Sequence, residues 1–153
     1  MTKINPYLHF LGNAEEAFNF YKSVFGGEFA MVMRFGEMPG CDEMPAEKQF
    51  SEDDKGKIMH IALPIGKDNV LMATDAIEST GHKLTEGNNF SISISAASKE
   101  EAEKLFNALA EGGTVTMPLA DTFWGAYFGM LKDQFGIQWM VDYESNQNRE
   151  ANH

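Results

Sequence analysis

The chain contains the same folding device twice. Asn13-Ala14-Glu15-Glu16-Ala17-Phe18-Asn19-Phe20-Tyr21 opens a helical segment that stops at Gly26-Gly27. Ser98-Lys99-Glu100-Glu101-Ala102-Glu103-Lys104-Leu105-Phe106 opens another that stops at Gly112-Gly113. Measured start to start and stop to stop, the two offsets differ by a single residue. Each copy has a short polar N-cap residue, a Glu at the third helical position, an apolar stripe and a glycine stop. A β-like run precedes each (Tyr7 to Leu11; Phe90 to Ser95), and further strands follow. A duplicated β-α-β unit in one small chain constrains the architecture strongly and the chemistry hardly at all.

The order of elements follows from local patterning. Ile4 to Leu11 reads as a first strand. In the helix behind it Ala14, Ala17, Phe18, Tyr21, Val24 and Phe25 form one stripe at i, i+3, i+4, i+7 spacing. Glu28 to Phe35 is the next strand, and Gly36 to Gly56 a long loop with an acidic run (Glu52, Asp53, Asp54), readable either as a lid or as a disordered excursion. Lys57 to Ile65 and Val70 to Thr74 form a hairpin across Gly66-Lys67-Asp68-Asn69. Asp75 to Asn89 is a polar connector. In the second half Ser91-Ile92-Ser93-Ile94-Ser95 alternates strictly. After the second helix come strands at Thr114 to Met117 and Ala126 to Lys132, a turn through Asp133 to Gly136, and a last strand from Ile137 to Val141. The expected plan is α+β, one domain spanning 1–153: β-α-β-β-β over about 4–75, a linker over about 76–89, the same again over about 90–143, and a polar tail at 144–153.

Charge and composition narrow the partners. At 153 residues and 43 % hydrophobic, the chain can bury a core of its own. Its formal net charge is −11, from 23 acidic and 12 basic side chains. A field of that sign repels phosphate backbones and anionic lipid, which argues against nucleic-acid and membrane partners. No run approaches the ~18 apolar residues of a spanning helix, and Met1-Thr2-Lys3-Ile4-Asn5-Pro6 lacks the apolar core of a signal peptide. The lone Cys41 forms no intrachain disulfide, which suits the cytoplasm, and its acidic neighbours Asp42 and Glu43 disfavour a reactive thiolate.

A β-α-β-β-β duplication with these helices resembles the vicinal oxygen chelate superfamily of glyoxalases, bleomycin-resistance proteins and extradiol dioxygenases. Within it the chain is similar to the PhnB-like branch over roughly residues 4 to 143. The resemblance is carried by Asn5-Pro6-Tyr7-Leu8-His9-Phe10, Gly12-Asn13-Ala14-Glu15-Glu16-Ala17, Phe20-Tyr21, Val24-Phe25-Gly26, Met59-His60 and Val70-Leu71-Met72. Asp121-Thr122-Phe123-Trp124-Gly125-Ala126, Phe128-Gly129 and Trp139-Met140-Val141 complete it. It implies two βαβββ modules whose eight strands form a curved sheet around a central cavity, helices outside, commonly in a homodimer. Branch members are often labelled 3-demethylubiquinone methyltransferases, yet the chain has no Gly-x-Gly-x-x-Gly turn for a nucleotide-like cofactor.

Metal-dependent relatives carry His or Glu ligands on the first and last strand of each module. The resemblance puts the corresponding positions at Pro6, at Met72 or Ala73, within Phe90 to Ile92, and at Met140. None suits a hard divalent ion, so no cofactor and no metal ligand is expected. Of the histidines, His9 lies three residues after Pro6 and is expected on the helix-packed face. His60, in the run Ile58-Met59-His60-Ile61-Ala62-Leu63, is open between core filler and a catalytic acid/base. His82 and His153 lie in polar segments. The implied ligand-binding wall is Leu8 and Phe10 beside Pro6, with Met72, Trp124, Gln138 and Met140. Gln138 shares the face of Met140 while Ile137, Trp139 and Val141 point away. Two readings follow: a metal-independent binder of a small molecule in an apolar cavity, or a lyase, isomerase or dioxygenase with a non-standard metal or acid/base site at His60.

Overall fold

The computed structural model of the chain describes residues 2–37, 50–77 and 83–144. The chain divides into two compact units, Met1–Thr85 and Glu86–His153. In the first, β1 (Tyr7–Phe10), α1 (Ala14–Phe25), β2 (Met31–Arg34), a short helix α2 (Glu52–Lys55), β3 (Ile58–Ile65) and β4 (Asn69–Asp75) build a four-stranded mixed sheet of order β1-β4-β3-β2. In the second, β5 (Ile92–Ser95), α3 (Lys99–Ala110), β6 (Thr114–Asp121), β7 (Ala126–Lys132) and β8 (Gln138–Glu144) give the order β5-β8-β7-β6. The two orders are the same once the second unit is renumbered. In both, the first and last strands pair in parallel and the others antiparallel.

Each helix covers one face of its own sheet. Ala14, Ala17, Phe18 and Tyr21 of α1 are buried against Leu8, Phe10, Ile58, Ile61, Leu63, Leu71 and Ala73. Phe10 meets Phe18 edge-on at 6.4 Å between ring centroids, and Phe18 meets Tyr21 at 5.5 Å, the geometry that ring quadrupoles favour. In the second unit Ala102, Phe106 and Leu109 of α3 share the core with Leu131, Trp139 and Val141. Gly129 of β7 belongs to this face. A Cβ there would sit 2.8 Å from the Phe106 ring and 3.0 Å from the Leu119 backbone, so the close approach of helix and sheet requires glycine.

The duplicated helix starts are finished differently. Ser98 behaves as its sequence predicts: its hydroxyl accepts from the Glu101 amide at 3.0 Å, while the Glu101 carboxylate accepts from the Ala97 amide at 3.1 Å. Asn13 makes no side-chain cap. Its place is taken from a distance by Asp75 at the end of β4. One Asp75 oxygen accepts from the amides of Gly12 (3.0 Å) and Ala14 (2.9 Å), the other from the amide of Ile58 (2.8 Å).

The acidic run expected as plain loop contains α2. Ser51 caps it by accepting from the Asp54 amide, and Glu52, Asp53 and Asp54 occupy its first turn, where the helix dipole favours negative charge. Residues 38–49, with Cys41, lie outside the described residues, as do residues 78–82 of the connector and 145–153 of the tail. β6 and β8 run longer than their patterns indicated, because pairing with β7 continues past the apolar stretch to Ala120↔Phe128 and Ala126↔Glu144.

Replacing Asp75 by Ala leaves two buried amides and one part-buried amide without an acceptor. The expected result is a loss of about 3 kcal/mol or more in unfolding free energy, read from urea denaturation. Ser98→Ala, which removes a single exposed cap, is expected to cost about 1 kcal/mol.

Candidate functional site

Because each helix covers one face of its sheet, the other face is where chemistry can be presented. On the first sheet strand alternation puts Tyr7 and His9 of β1 on this open face, with Met72 and Thr74 of β4, His60 and Ala62 of β3, and Met31 and Met33 of β2. Register aligns them in two rows. Tyr7 pairs with Met72, Met72 with Ala62, and Ala62 with Met31. One step along, His9 pairs with Thr74 and His60 with Met33. The second sheet repeats the first row in kind: Ser93 pairs with Met140, Met140 with Met130, and Met130 with Met117. Its neighbouring row is Ser95, Asp142, Phe128 and Ala120, in which Ser95 donates to the Asp142 carboxylate at 3.1 Å.

The polar focus of the first face is a hydrogen bond of 3.1 Å between the Tyr7 hydroxyl and Nδ1 of His60. The Tyr7 ring lies 5.7 Å from the His60 ring and 5.7 Å from the His9 ring. Burial pushes the Tyr7 phenol above its ordinary value, so it remains a protonated donor at neutral pH. Neighbouring charges are engaged elsewhere. Arg34 holds Glu15 of α1 through two parallel hydrogen bonds, and that bond sets the Glu15 carboxyl below the usual carboxylate range. Lys57 pairs with Asp54 at 2.9 Å and with Asp53 at 3.6 Å.

These positions correct the facing expected for β1. Leu8 and Phe10 are 5 % and 2 % exposed and lie under α1. His9, expected beneath the helix, is exposed on the opposite face. Across the parallel pairs Met72 partners Tyr7 and Met140 partners Ser93. Ala73 is fully buried, which leaves Met72 as the open-face residue of its strand. On β8 the expected facing holds: Trp139 and Val141 are buried, Gln138 and Met140 half-buried. Gln138 donates to the Phe90 carbonyl at 2.8 Å, and Trp139 donates to Asp133 at 2.8 Å. Trp124 lies in the β6–β7 turn, 55 % exposed, its ring 5.0 Å from Phe123 and 6.0 Å from Phe128. Tyr7 was not legible as a site residue, because its signal is the bond to His60, 53 positions away.

Comparisons with known proteins bear on what this duplicated fold belongs to. Residues 2–142 match the profile of the family described as 3-demethylubiquinone-9 3-methyltransferase. The chain belongs to this PhnB-like family. Protein YjdN of Escherichia coli is 31 % identical over 94 % of this PhnB-like chain and 97 % of its own. The crystal structure of PA1353 from Pseudomonas aeruginosa has a TM-score of 0.79 and 45 % identity, covering 94 % of this chain and 98 % of that one. A PhnB protein of Bacillus cereus, described as a putative 3-demethylubiquinone-9 3-methyltransferase, has a TM-score of 0.70 and 26 % identity, covering 93 % and 99 %.

Metal-dependent members of the superfamily suggest a test of the donor set at the paired first and last strands. Each unit has its own: Tyr7 with Met72 in the first, a phenol and a thioether, and Ser93 with Met140 in the second, a hydroxyl and a thioether. Thioethers are soft ligands, and neither pair fits a hard divalent cation. Among the described residues no group of three or more His, Cys, Asp or Glu side chains is placed to hold a metal ion.

His60 is bonded to an exposed phenol, not to a buried partner. His60→Ala and Tyr7→Phe are therefore each expected to cost less than about 1 kcal/mol of stability, against the ~1–3 kcal/mol of a core histidine whose buried partner is orphaned. Urea denaturation of the two variants checks this.

Proposed function

We propose that this PhnB-like protein binds a small, largely apolar molecule on the open sheet faces, without a metal centre of the glyoxalase kind. The observation that carries the reading is the repeated row of methionines, Met31 and Met72 in one unit and Met117, Met130 and Met140 in the other. Unbranched thioether side chains present apolar, polarisable surface that adapts to the shape of a ligand. A few polar groups beside such a surface, Tyr7 and His60 on the first face and Gln138 on the second, are the usual means of orienting a small molecule. Fold alone does not supply an activity, and the methyltransferase description belongs to the family profile and to the Bacillus cereus protein.

A second reading is favoured by one observation, the Tyr7–His60 hydrogen bond. A phenol held against an imidazole can pass a proton, which supports a lyase, isomerase or dioxygenase role centred on His60.

Elemental analysis of tag-free protein purified without chelators tests the binder reading. The expected outcome is substoichiometric Zn, Ni, Mn and Fe, with a melting temperature unchanged by EDTA and raised by apolar ligands in a thermal-shift screen. A near-stoichiometric metal removed by EDTA with loss of stability overturns it and makes the enzyme reading primary.

A further inference from the structure

The second open face carries a carboxylate that has no counter-charge among the described residues. Asp142 of β8 shares the side of Gln138 and Met140, away from the buried Trp139 and Val141. One of its oxygens accepts from the Ser95 hydroxyl at 3.1 Å. Among the described residues no Lys, Arg or His forms an ion pair with it. Lys132, the one basic residue in the strands of this unit, stands beside Gln138, two rows and roughly 13 Å along the strand from Asp142. Glu144 keeps the parity of Asp142 and adds a second negative group at this end of β8.

Aromatic rings stand beside that carboxylate. Phe128 is the partner of Asp142 across the antiparallel β7–β8 pair, so their side chains start about 5 Å apart on the same face. The Trp124 ring packs 6.0 Å from Phe128, and Phe123 lies 5.0 Å from Trp124. The turn that carries Trp124 is fixed by its own bonds. The Thr122 hydroxyl donates to the Ala126 carbonyl at 2.7 Å, and the Gly125 amide donates to the Thr122 carbonyl at 3.2 Å. Gly125 takes a φ of 90°, a conformation open to glycine. Trp124 stays exposed despite these contacts, so a large aromatic surface is held in place near a negative charge. Such a pairing suits an organic ammonium: the carboxylate supplies charge-assisted attraction and the ring faces draw the cation. The net charge of −11 favours the approach of cations. The adjacent row Met140, Met130, Met117 offers apolar contact to the rest of the molecule.

We propose that Asp142 and Phe128, flanked by Trp124, form a cation subsite that takes the ammonium group of an otherwise apolar ligand, whose body lies along Met140, Met130 and Met117. The proposal rests on the small-molecule reading above and adds the chemical class of the ligand. Ser95 holds one Asp142 oxygen and leaves the other to the ammonium.

The test is a titration of the full chain with phenethylamine, benzyltrimethylammonium and the neutral phenethyl alcohol, followed by NMR of the indole N–H signals of Trp124 and Trp139. A Trp124→Phe variant assigns them, and the Trp139 indole, buried and bonded to Asp133, is the internal control. The expected result is a saturable shift of the Trp124 indole and none of the Trp139 indole, with at least one ammonium ion binding about tenfold or more above the alcohol. Asp142→Asn, which keeps an acceptor for Ser95, is expected to weaken ammonium binding by about the same factor and leave the alcohol unchanged. A preference for the primary amine assigns the attraction chiefly to the Asp142 hydrogen bond, and a preference for the quaternary ion assigns it chiefly to the rings; either supports the subsite. Equal affinity for ammonium ions and alcohol overturns the subsite and leaves the small-molecule reading standing. Ammonium binding that persists unchanged in Asp142→Asn or leaves the Trp124 indole unmoved, or no ammonium binding at all, also overturns the subsite, while the thermal-shift screen separately decides the wider reading.

Discussion

The carboxylate of Asp75 joins three parts of the first unit that the chain delivers at different times: the end of β1, the start of α1 and the start of β3. Amides at a strand–helix junction have no partners of their own, and in a buried site they cannot be left to water. By gathering them from β4, Asp75 fixes where α1 begins relative to the parallel β1–β4 pair. The helical stripe then lands on Leu8, Phe10 and Ile61 rather than on the alternate residues. Everything on the opposite face follows from that choice, since a strand that buries one set of side chains must present the other.

The second unit reaches the same topology with different fastenings. Ser98 and Glu101 cap α3 locally, without help from the last strand. Asp133 instead serves the β7–β8 turn, accepting from the amides of Phe135 (2.8 Å) and Ile137 (3.0 Å) and from the Trp139 indole. The Cβ-free surface of Gly129 allows α3 to approach closely. Duplicated architecture has therefore been kept while its polar contacts diverged, and the open faces diverged with them: two histidines and a tyrosine on one, Ser95, Asp142 and Gln138 on the other. An acidic group on one open face and two imidazoles on the other make chemically distinct surfaces.

Much of the fold was legible in the residues. Both helices, the order of elements along each unit and the Gly66 to Asn69 turn follow from periodicity, caps and glycine stops, and the facing of Gln138 and Met140 from the resemblance together with strand alternation. The short helix after Ser51 was legible too, since Ser-Glu-Asp-Asp is a cap with an acidic first turn. Periodicity does not show it, because four residues are too few to carry a helical repeat. The facing of β1 was the instructive failure. Tyr-Leu-His-Phe offers an aromatic ring on either parity. Anchoring the strand at Pro6 by resemblance selected Leu8 and Phe10 for the open face, whereas the simpler rule, that the two apolar residues go to the helix, selects Tyr7 and His9.

The sequence by itself determined the duplicated βαβββ plan, because helical and strand periods, N-cap residues and glycine stops act over a few neighbouring positions. It also determined the membership that those motifs carry. Only the tertiary structure decided which β1 residues meet which others. Tyr7 touches His60 across 53 positions, and Asp75 caps a helix that starts 61 residues earlier. Contacts of that span are set by sheet register and helix docking, and no local pattern encodes them.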